Sequence, residues 1–443
     1  MTGRMVLIGA GSTVFTPGLL HDLAVSPVFA DWTVHLVDLD GDAAQTMARV
    51  GRRIVAEHRS GLVVHAHTDR REALPGADLV ATTIAVGSAA GWRADLDVPL
   101  RHGIPQTVGD SVGPGGVLRA LRHVPELVAI AQDVADLAPR ARLVNYSNPL
   151  TANVRGVTRN TGVPVIGLCH GSMHTRTQLC RELGVHPAAV SATFVGLNHL
   201  CWLTDIRSGG VDLYPRVRQL VRDPSRVGGA FGVHGRVSAD LLDRFGLYPS
   251  PGDRHVAEFF ADYLAARADG DLAWDLQDGL DATLHYIGEK SELWDRLREQ
   301  AAGTRALDPP DTAGNQEAER LVSIAEALVT GRDQLELAVN VTNAGAVDNL
   351  PPWAVVEVPA VVGAGGVTPV GVGPLPAAIA ELLTARAEQQ ELVVEAALSG
   401  SRSTALAALA QDPLVPDTAT ATAILDDAVV AHAPRLDAFA VVA

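Results

Sequence analysis

Cysteine is scarce in this 443-residue chain, with three thiols at Cys169, Cys180 and Cys201. So small and odd a set excludes an even disulfide framework and points to a reducing compartment, for which the cytoplasm is the expectation. Basic residues are also in deficit: 35 Lys and Arg stand against 51 Asp and Glu, a formal net charge of -16. That balance argues against nucleic acid and an acidic membrane surface as partners, since both call for an excess of Lys and Arg. No apolar stretch is long enough to span a bilayer, and the N-terminus runs straight into Met5-Val6-Leu7-Ile8 without the basic and long apolar regions of a secretion signal. A soluble intracellular protein is expected.

What is present is a regular alternation. Over the first 170 residues, apolar runs at Met5 to Ile8, Val34 to Val37, Leu62 to Val64, Leu79 to Thr82 and Arg142 to Tyr146 are separated by helical patterns. Such a series feeds a parallel sheet, so the fold class is α/β with a Rossmann-type doubly wound domain over residues 1-170. The length exceeds one typical domain, and residues 171-443 are expected to form a second, closely packed one. Its helical patterns, the longest over Pro374 to Leu398, offer apolar faces to another domain or another subunit.

The first strand ends in Gly9-Ala10-Gly11-Ser12 and the second in Asp38. Glycines there let the backbone approach a pyrophosphate, the next helix N-terminus stabilises its charge, and the acid can bind both ribose hydroxyls. The third glycine of the usual fingerprint is absent, since position 14 is Val. Gly-x-Gly alone is often only a tight turn, but strand, turn, helix and acid together predict a nucleotide site, and the acid favours NAD over NADP.

Two later apolar runs each end in a ligand-type side chain. Val163 to Leu168 leads to Cys169-His170, and Phe194 to Leu197 leads to Asn198-His199. A thiolate beside a neutral imidazole suits Mn, Fe, Co or Zn better than Mg or Ca. With no second Cys or His pair nearby, an open catalytic site is expected rather than a closed structural one. Residues 86-116 are glycine-rich with few periodic positions, the mark of a long functional connection lining a cleft. On the helix after it, Arg119 and Arg122 read more readily as solvated charges than as ligand contacts. Asn148 precedes Pro149 at a strand tip, where its amide either binds a sugar or ribose hydroxyl or caps the next helix.

In order and spacing these motifs resemble glycoside hydrolase family 4, the NAD- and metal-dependent glycosidases, over most of the chain. The residues that carry the resemblance are Gly9-Ala10-Gly11-Ser12 with Asp38, Gln106-Thr107-Val108-Gly109-Asp110, Gly113-Pro114-Gly115-Gly116 and Asn145-Tyr146-Ser147-Asn148-Pro149. They continue in Gly167-Leu168-Cys169-His170, Gly196-Leu197-Asn198-His199, Arg244-Phe245-Gly246 with His255 and Glu258, Asn340-Val341-Thr342-Asn343 and Val356-Glu357-Val358-Pro359.

The resemblance implies an α+β second domain like that of lactate and malate dehydrogenases, bound NAD, and Mn²⁺ or another divalent transition metal on Cys169 and His199. It implies hydride removal from sugar C3, loss of the C2 proton, metal-assisted elimination of the aglycone, water addition and return of the hydride. Asn148, Arg93 and His255 are then expected to contact substrate, and His170, Asp110 and Tyr248 to act catalytically. Tyr248 stands for the C2 base, or else is a packing residue, because a phenol with its usual pKa of about 10 is a poor base. Cys169-His170-Gly171 looks like the branch acting on unphosphorylated α-glycosides, with 6-phosphoglycosides as the alternative within the family. A 2-hydroxyacid dehydrogenase is a further alternative, although no Asp lies between Gly167 and Leu183 to serve its Asp-x-x-Arg pattern. The family also implies a homodimer or homotetramer acting on a small-molecule glycoside.

Overall fold

A computed structural model describes residues 2-13, 15-223, 235-265, 272-309 and 316-441. Its scaffold is one sheet whose strands are β1 (Arg4–Ile8), β2 (Thr33–Val37), β3 (Val63–His67), β4 (Leu79–Thr82), β5 (Arg142–Asn145), β6 (Val165–Gly167), β7 (Val190–Leu197), β8 (Leu200–Ser208), β9 (Val211–Asp212), β10 (Tyr248–Ser250), β11 (Gln334–Thr342), β12 (Val355–Gly363) and β13 (Gly366–Pro369). Six of them run parallel in the order β3-β2-β1-β4-β5-β6. This is the parallel, doubly wound sheet of the expected α/β fold class. Leu79 to Thr82 is buried at every position because helices cover both faces, which is why that strand reads as an unbroken apolar run.

The sheet continues past β6. It pairs antiparallel with β11 at Gly167 opposite Asn340, β11 pairs with β12, and β12 pairs with β7 at Glu357 opposite Gly196. β8 and β10 complete that flank, with β9 and β13 paired to β8 and β12. Residues on either side of 170 therefore share one hydrogen-bonded sheet. The later helices also fold back over the earlier ones: Gly279–Ala302 lies on Gly41–His58 and Ser88–Arg101, Gln316–Thr330 on Phe15–Val25, and Ala377–Ser399 on Gly113–Leu137. Their apolar faces join a core that includes residues from Met5 to Phe439.

The stretch 86-116 departs from expectation. It contains a helix, Ser88–Arg101, and the start of another, Gly113–Leu137, so only 102-112 is a connection. Glycine hides the helical period here for a packing reason. A Cβ at Gly91 would lie 3.3 Å from Arg122 Nη2, so the helix gives up propensity to let the guanidinium pass.

Several histidines are folded into this scaffold uncharged. His35 on β2 meets the His67 ring at 2.8 Å and stacks on His65, and burial, with Arg4 and both neighbouring rings, lowers its pKa to about 4. Burial likewise lowers His21 and holds His123 well below the usual range. Groups whose folded pKa lies below an unfolded value of about 6.5 take up protons on unfolding, so their stability is complete above that pH and lost as pH falls through the folded values. The urea midpoint is expected to fall between about pH 6.5 and pH 4, less steeply in His35→Leu; identical slopes for both proteins would remove His35 from the account.

Candidate active site

At the carboxyl ends of β1, β2 and β4 lies a cavity of about 1030 Å³, lined among others by Gly9, Gly11, Ser12, Asp38, Thr83 and Val86. That size suits an extended dinucleotide better than a single sugar. Gly9 adopts φ +92°, and a Cβ on it would lie 2.7 Å from the Thr83 backbone. At Gly11 a Cβ would lie 2.7 Å from the Asp38 carboxylate, so both positions require glycine. The Gly11 N–H donates to Asp38 Oδ2 at 2.7 Å and the Asp40 N–H to Oδ1 at 3.0 Å, fixing the acid at the rim. Ser12 Oγ accepts from the Phe15 N–H at 3.2 Å and starts the helix Phe15–Val25. Val14, where the usual third glycine would stand, lies outside the described residues.

A second cluster forms around Asp110. Asn148 Nδ2 donates to Asp110 Oδ2 at 2.8 Å, and His199 Nδ1 lies 3.8 Å from Oδ1. The His199 and His255 rings are 4.4 Å apart between centroids. Burial would raise the Asp110 pKa, but His199, Arg119 and His255 together hold it below the usual carboxylate range. His255 is pushed well below its usual range by burial and then by His199, so it is neutral, and its Nδ1 has no hydrogen-bond partner among the described residues. Arg119 Nε donates to the Asn148 carbonyl at 3.1 Å. The loop that carries Asp110 is held from beneath: Glu258 Oε1 accepts from the N–H groups of Val108 and Gly109, each at 2.8 Å. Burial, opposed by those two donors, raises the Glu258 pKa to about 8.

Cys169 follows β6 and is half-buried, while the buried His199 sits in the β7–β8 hairpin with φ +66°. Their strands are separated by β11 and β12 and are not neighbours in the sheet. Cys180 and Cys201 are buried packing thiols whose pKa values burial raises. Among the described residues no three His, Cys, Asp or Glu side chains gather as a metal cluster. One thiol and one imidazole, with the neutral His255 ring beside His199, fit an ion that keeps most of its coordination positions open for substrate.

The comparisons with known proteins bear on this geometry. A model described as family 4 glycosyl hydrolase matches residues 4-185, and one for the C-terminal domain of the same family matches 194-415. The chain belongs to glycosyl hydrolase family 4. It is 29% identical to an α-galactosidase of Bacillus subtilis, covering 93% of each chain, and 31% identical to an α-galacturonidase of the same organism, again covering 93% of each. A 6-phospho-α-glucosidase from gut microorganisms, solved in complex with NAD and Mn²⁺, superposes with a TM-score of 0.85 at 23% identity, covering 98% of this chain and 99% of that one. Lactate dehydrogenase from Cryptosporidium parvum shares the fold more distantly, at a TM-score of 0.54 and 16% identity over 89% of this chain and 98% of that one.

Within this family 4 hydrolase, Gly9, Gly11, Ser12 and Asp38 share one crevice, and Asp110, Asn148, His199 and His255 share one cluster. His170 is exposed beside Cys169 and opens the helix Gly171–Leu183. Asn148 does not cap the next helix: the cap position is Pro149, and the amide turns to Asp110. Tyr248 requires correction. It is fully buried in β10 among Leu179, Phe194 and Leu203, and burial pushes its phenol far above the usual pKa, which disqualifies it as a base. Arg93 is exposed and takes no part in the Asp110 contacts. Arg122 is not solvated: it is buried in a bidentate pair with Asp95 at 2.7 and 2.8 Å, with His432 Nε2 3.1 Å from the same carboxylate. Residues 253-263 form a single helical turn followed by 3₁₀ pieces, and place Glu258 in the core.

Some contributors escaped the sequence reading. Tyr286, Lys290 and Trp294 line the nucleotide crevice from the helix Gly279–Ala302, with Tyr286 edge-on to Trp92 and Lys290 near enough to Asp38 to feel its charge. Their spacing of four residues, which stacks them on one helical face, was the available signal. His123 was another: its Nε2 accepts from the Val86 N–H at 3.0 Å, holding the crevice wall. Because breaking a buried ion pair leaves an uncompensated charge, Arg122→Ala is expected to cost about 3–5 kcal/mol in urea unfolding. A loss under about 1 kcal/mol would show that His432 alone can satisfy Asp95.

Proposed function

We propose that this family 4 hydrolase cleaves unphosphorylated α-glycosides, with α-galactosides and α-galacturonides as the first candidates. In this reading NAD occupies the Gly9–Asp38 crevice, and Mn²⁺ or a similar ion is held by Cys169 and His199. The α-galactosidase and α-galacturonidase relatives and the NAD and Mn²⁺ in the related 6-phospho-α-glucosidase support it. The observation that carries it is that the carboxyls of Asp110, Glu258 and Glu357 are already engaged. Asp110 is tied to Asn148 with its pKa held low, Glu258 to the 108-109 backbone and Glu357 to buried donors, so that none of these three is free to serve in two-carboxylate hydrolysis. Family 4 stands outside that scheme.

When bound, the nicotinamide would take and return a hydride at C3 while the metal ion stabilises negative charge on the adjacent sugar oxygens. The chain's own residues then orient and move protons. Asp110 remains ionised, aligns the His199 ring and turns the Asn148 amide, and Asn148 with neutral His255 offers hydrogen bonds to sugar hydroxyls. His170, exposed beside the thiol, is placed to exchange protons with solvent. Tyr286, on the crevice wall, takes the place that Tyr248 loses as the phenol to be tested. The small, odd number of cysteines and the expected cofactor support a cytoplasmic location. Among the described residues no helix is long and apolar enough to cross a membrane. A homodimer or homotetramer is the proposed assembly, and the exposed cross-strand neighbours Leu335 and Val361 are candidates for its contact.

The test is nitrophenyl α-galactoside and α-galacturonide, each with and without a 6-phosphate where the sugar allows one, supplied with NAD⁺ and Mn²⁺ under reducing conditions. Nitrophenol should appear without net NADH, and should cease when NAD is stripped or EDTA added. Turnover confined to the phosphorylated sugars would move the enzyme to the 6-phosphoglycosidase branch, and undiminished turnover without NAD would end the reading. Cys169→Ser should lower turnover more than about a hundredfold with NAD affinity little changed, since a hydroxyl is a poor ligand for such an ion. Full activity in that variant would remove the thiol from the site.

A further inference from the structure

We propose that Glu357 sets the separation of Cys169 and His199, as a positioning residue that never touches substrate. This inference rests on the reading of those two side chains as metal ligands. Glu357 lies within β12, 2% exposed, with Asn340 opposite on one neighbouring strand and Gly196 on the other. Its Oε1 accepts from the Ser172 hydroxyl, and its Oε2 accepts from Asn340 Nδ2 at 3.0 Å and Asn198 Nδ2 at 3.3 Å.

The identity of the donors gives the carboxylate its role. Ser172 stands three residues past Cys169, in the first turn of the helix Gly171–Leu183, and Asn198 immediately precedes His199. One buried acid therefore ties together both ligand-bearing segments, which reach the site from β6 and β7, two strands apart across β11 and β12. Hydrogen bonds to a buried carboxyl group in a dry interior are directional, so they fix distances that two loop ends alone would not. Arg320 completes the mounting by donating to the Cys169 carbonyl at 2.8 Å. A Cβ at Gly171 would lie 2.5 Å from Pro251, so the Cys169–Ser172 turn has little room to shift. Outer groups that orient metal ligands in this way are commonly worth about 10–100-fold in metal affinity.

The experiment titrates Co²⁺ into metal-free, NAD-loaded protein and follows the thiolate-to-cobalt absorption band, with NAD affinity measured separately by tryptophan fluorescence. Glu357→Gln keeps the shape and exchanges one acceptor for a donor, while Ser172→Ala removes one tie and leaves the carboxylate bonded to both asparagines. Co²⁺ affinity should fall about 10–100-fold in Glu357→Gln and by a smaller factor in Ser172→Ala, with NAD affinity within about twofold of wild type in both. Wild-type Co²⁺ affinity in folded Glu357→Gln overturns the proposal. Should that variant not fold, Ser172→Ala decides it by the same criterion. A wild-type protein without the cobalt–thiolate band instead overturns the metal reading of Cys169, so the two failures are distinguishable.

Discussion

A single row of residues, Gly167, Asn340, Glu357 and Gly196, crosses four strands and joins the parallel half of the sheet to the antiparallel half. Each of the outer contacts is a lone backbone pair, so side chains must reinforce what the ladder leaves thin. At Gly167 a Cβ would meet Asn340, Leu150 and Val154 at 3.0 Å, which keeps that strand end close to its neighbours. At Glu357 the reinforcement is electrostatic, a buried acid satisfied by three donors. The Cys169 turn and the His199 hairpin both hang from this row.

Charge inside the molecule runs against charge outside. The surface is acidic, yet arginines stand at the structural joints of the site: Arg119 on the Asn148 carbonyl, Arg254 Nη2 on the Thr107 carbonyl at 2.9 Å, Arg320 on the Cys169 carbonyl and Arg122 on Asp95. A guanidinium offers several donors in a fixed plane, so it can hold loop carbonyls that lack strand partners. His199, together with Arg119, holds the Asp110 carboxyl below the usual carboxylate range despite its burial. Arg119 thus contributes both to local order and to local electrostatics at the site.

Much of the first half was legible before any coordinates. Apolar runs of strand length separated by helical patterns yield a parallel sheet almost unavoidably, and Gly9, Gly11 and Asp38 occupy the positions that the strand-turn-helix geometry requires. The Cys169 and His199 motifs were visible because ligand-type residues stand out at the end of apolar runs. The Ser88–Arg101 helix was hidden by Gly91, which is packed against the Arg122 guanidinium. Tyr248 was misplaced because a phenol in a short strand carries no local mark of which face it turns to the core.

Chain order and residue type alone determined the nucleotide turn, the family motifs and the soft donors, since each depends on neighbours within a few residues of one another. Only the tertiary structure decided which charges are buried, that Asn148 faces Asp110 instead of capping a helix, and that Glu357 bonds to Ser172 and Asn198. Those contacts join positions up to 185 residues apart, and their energies come from desolvation and geometry that no local pattern encodes.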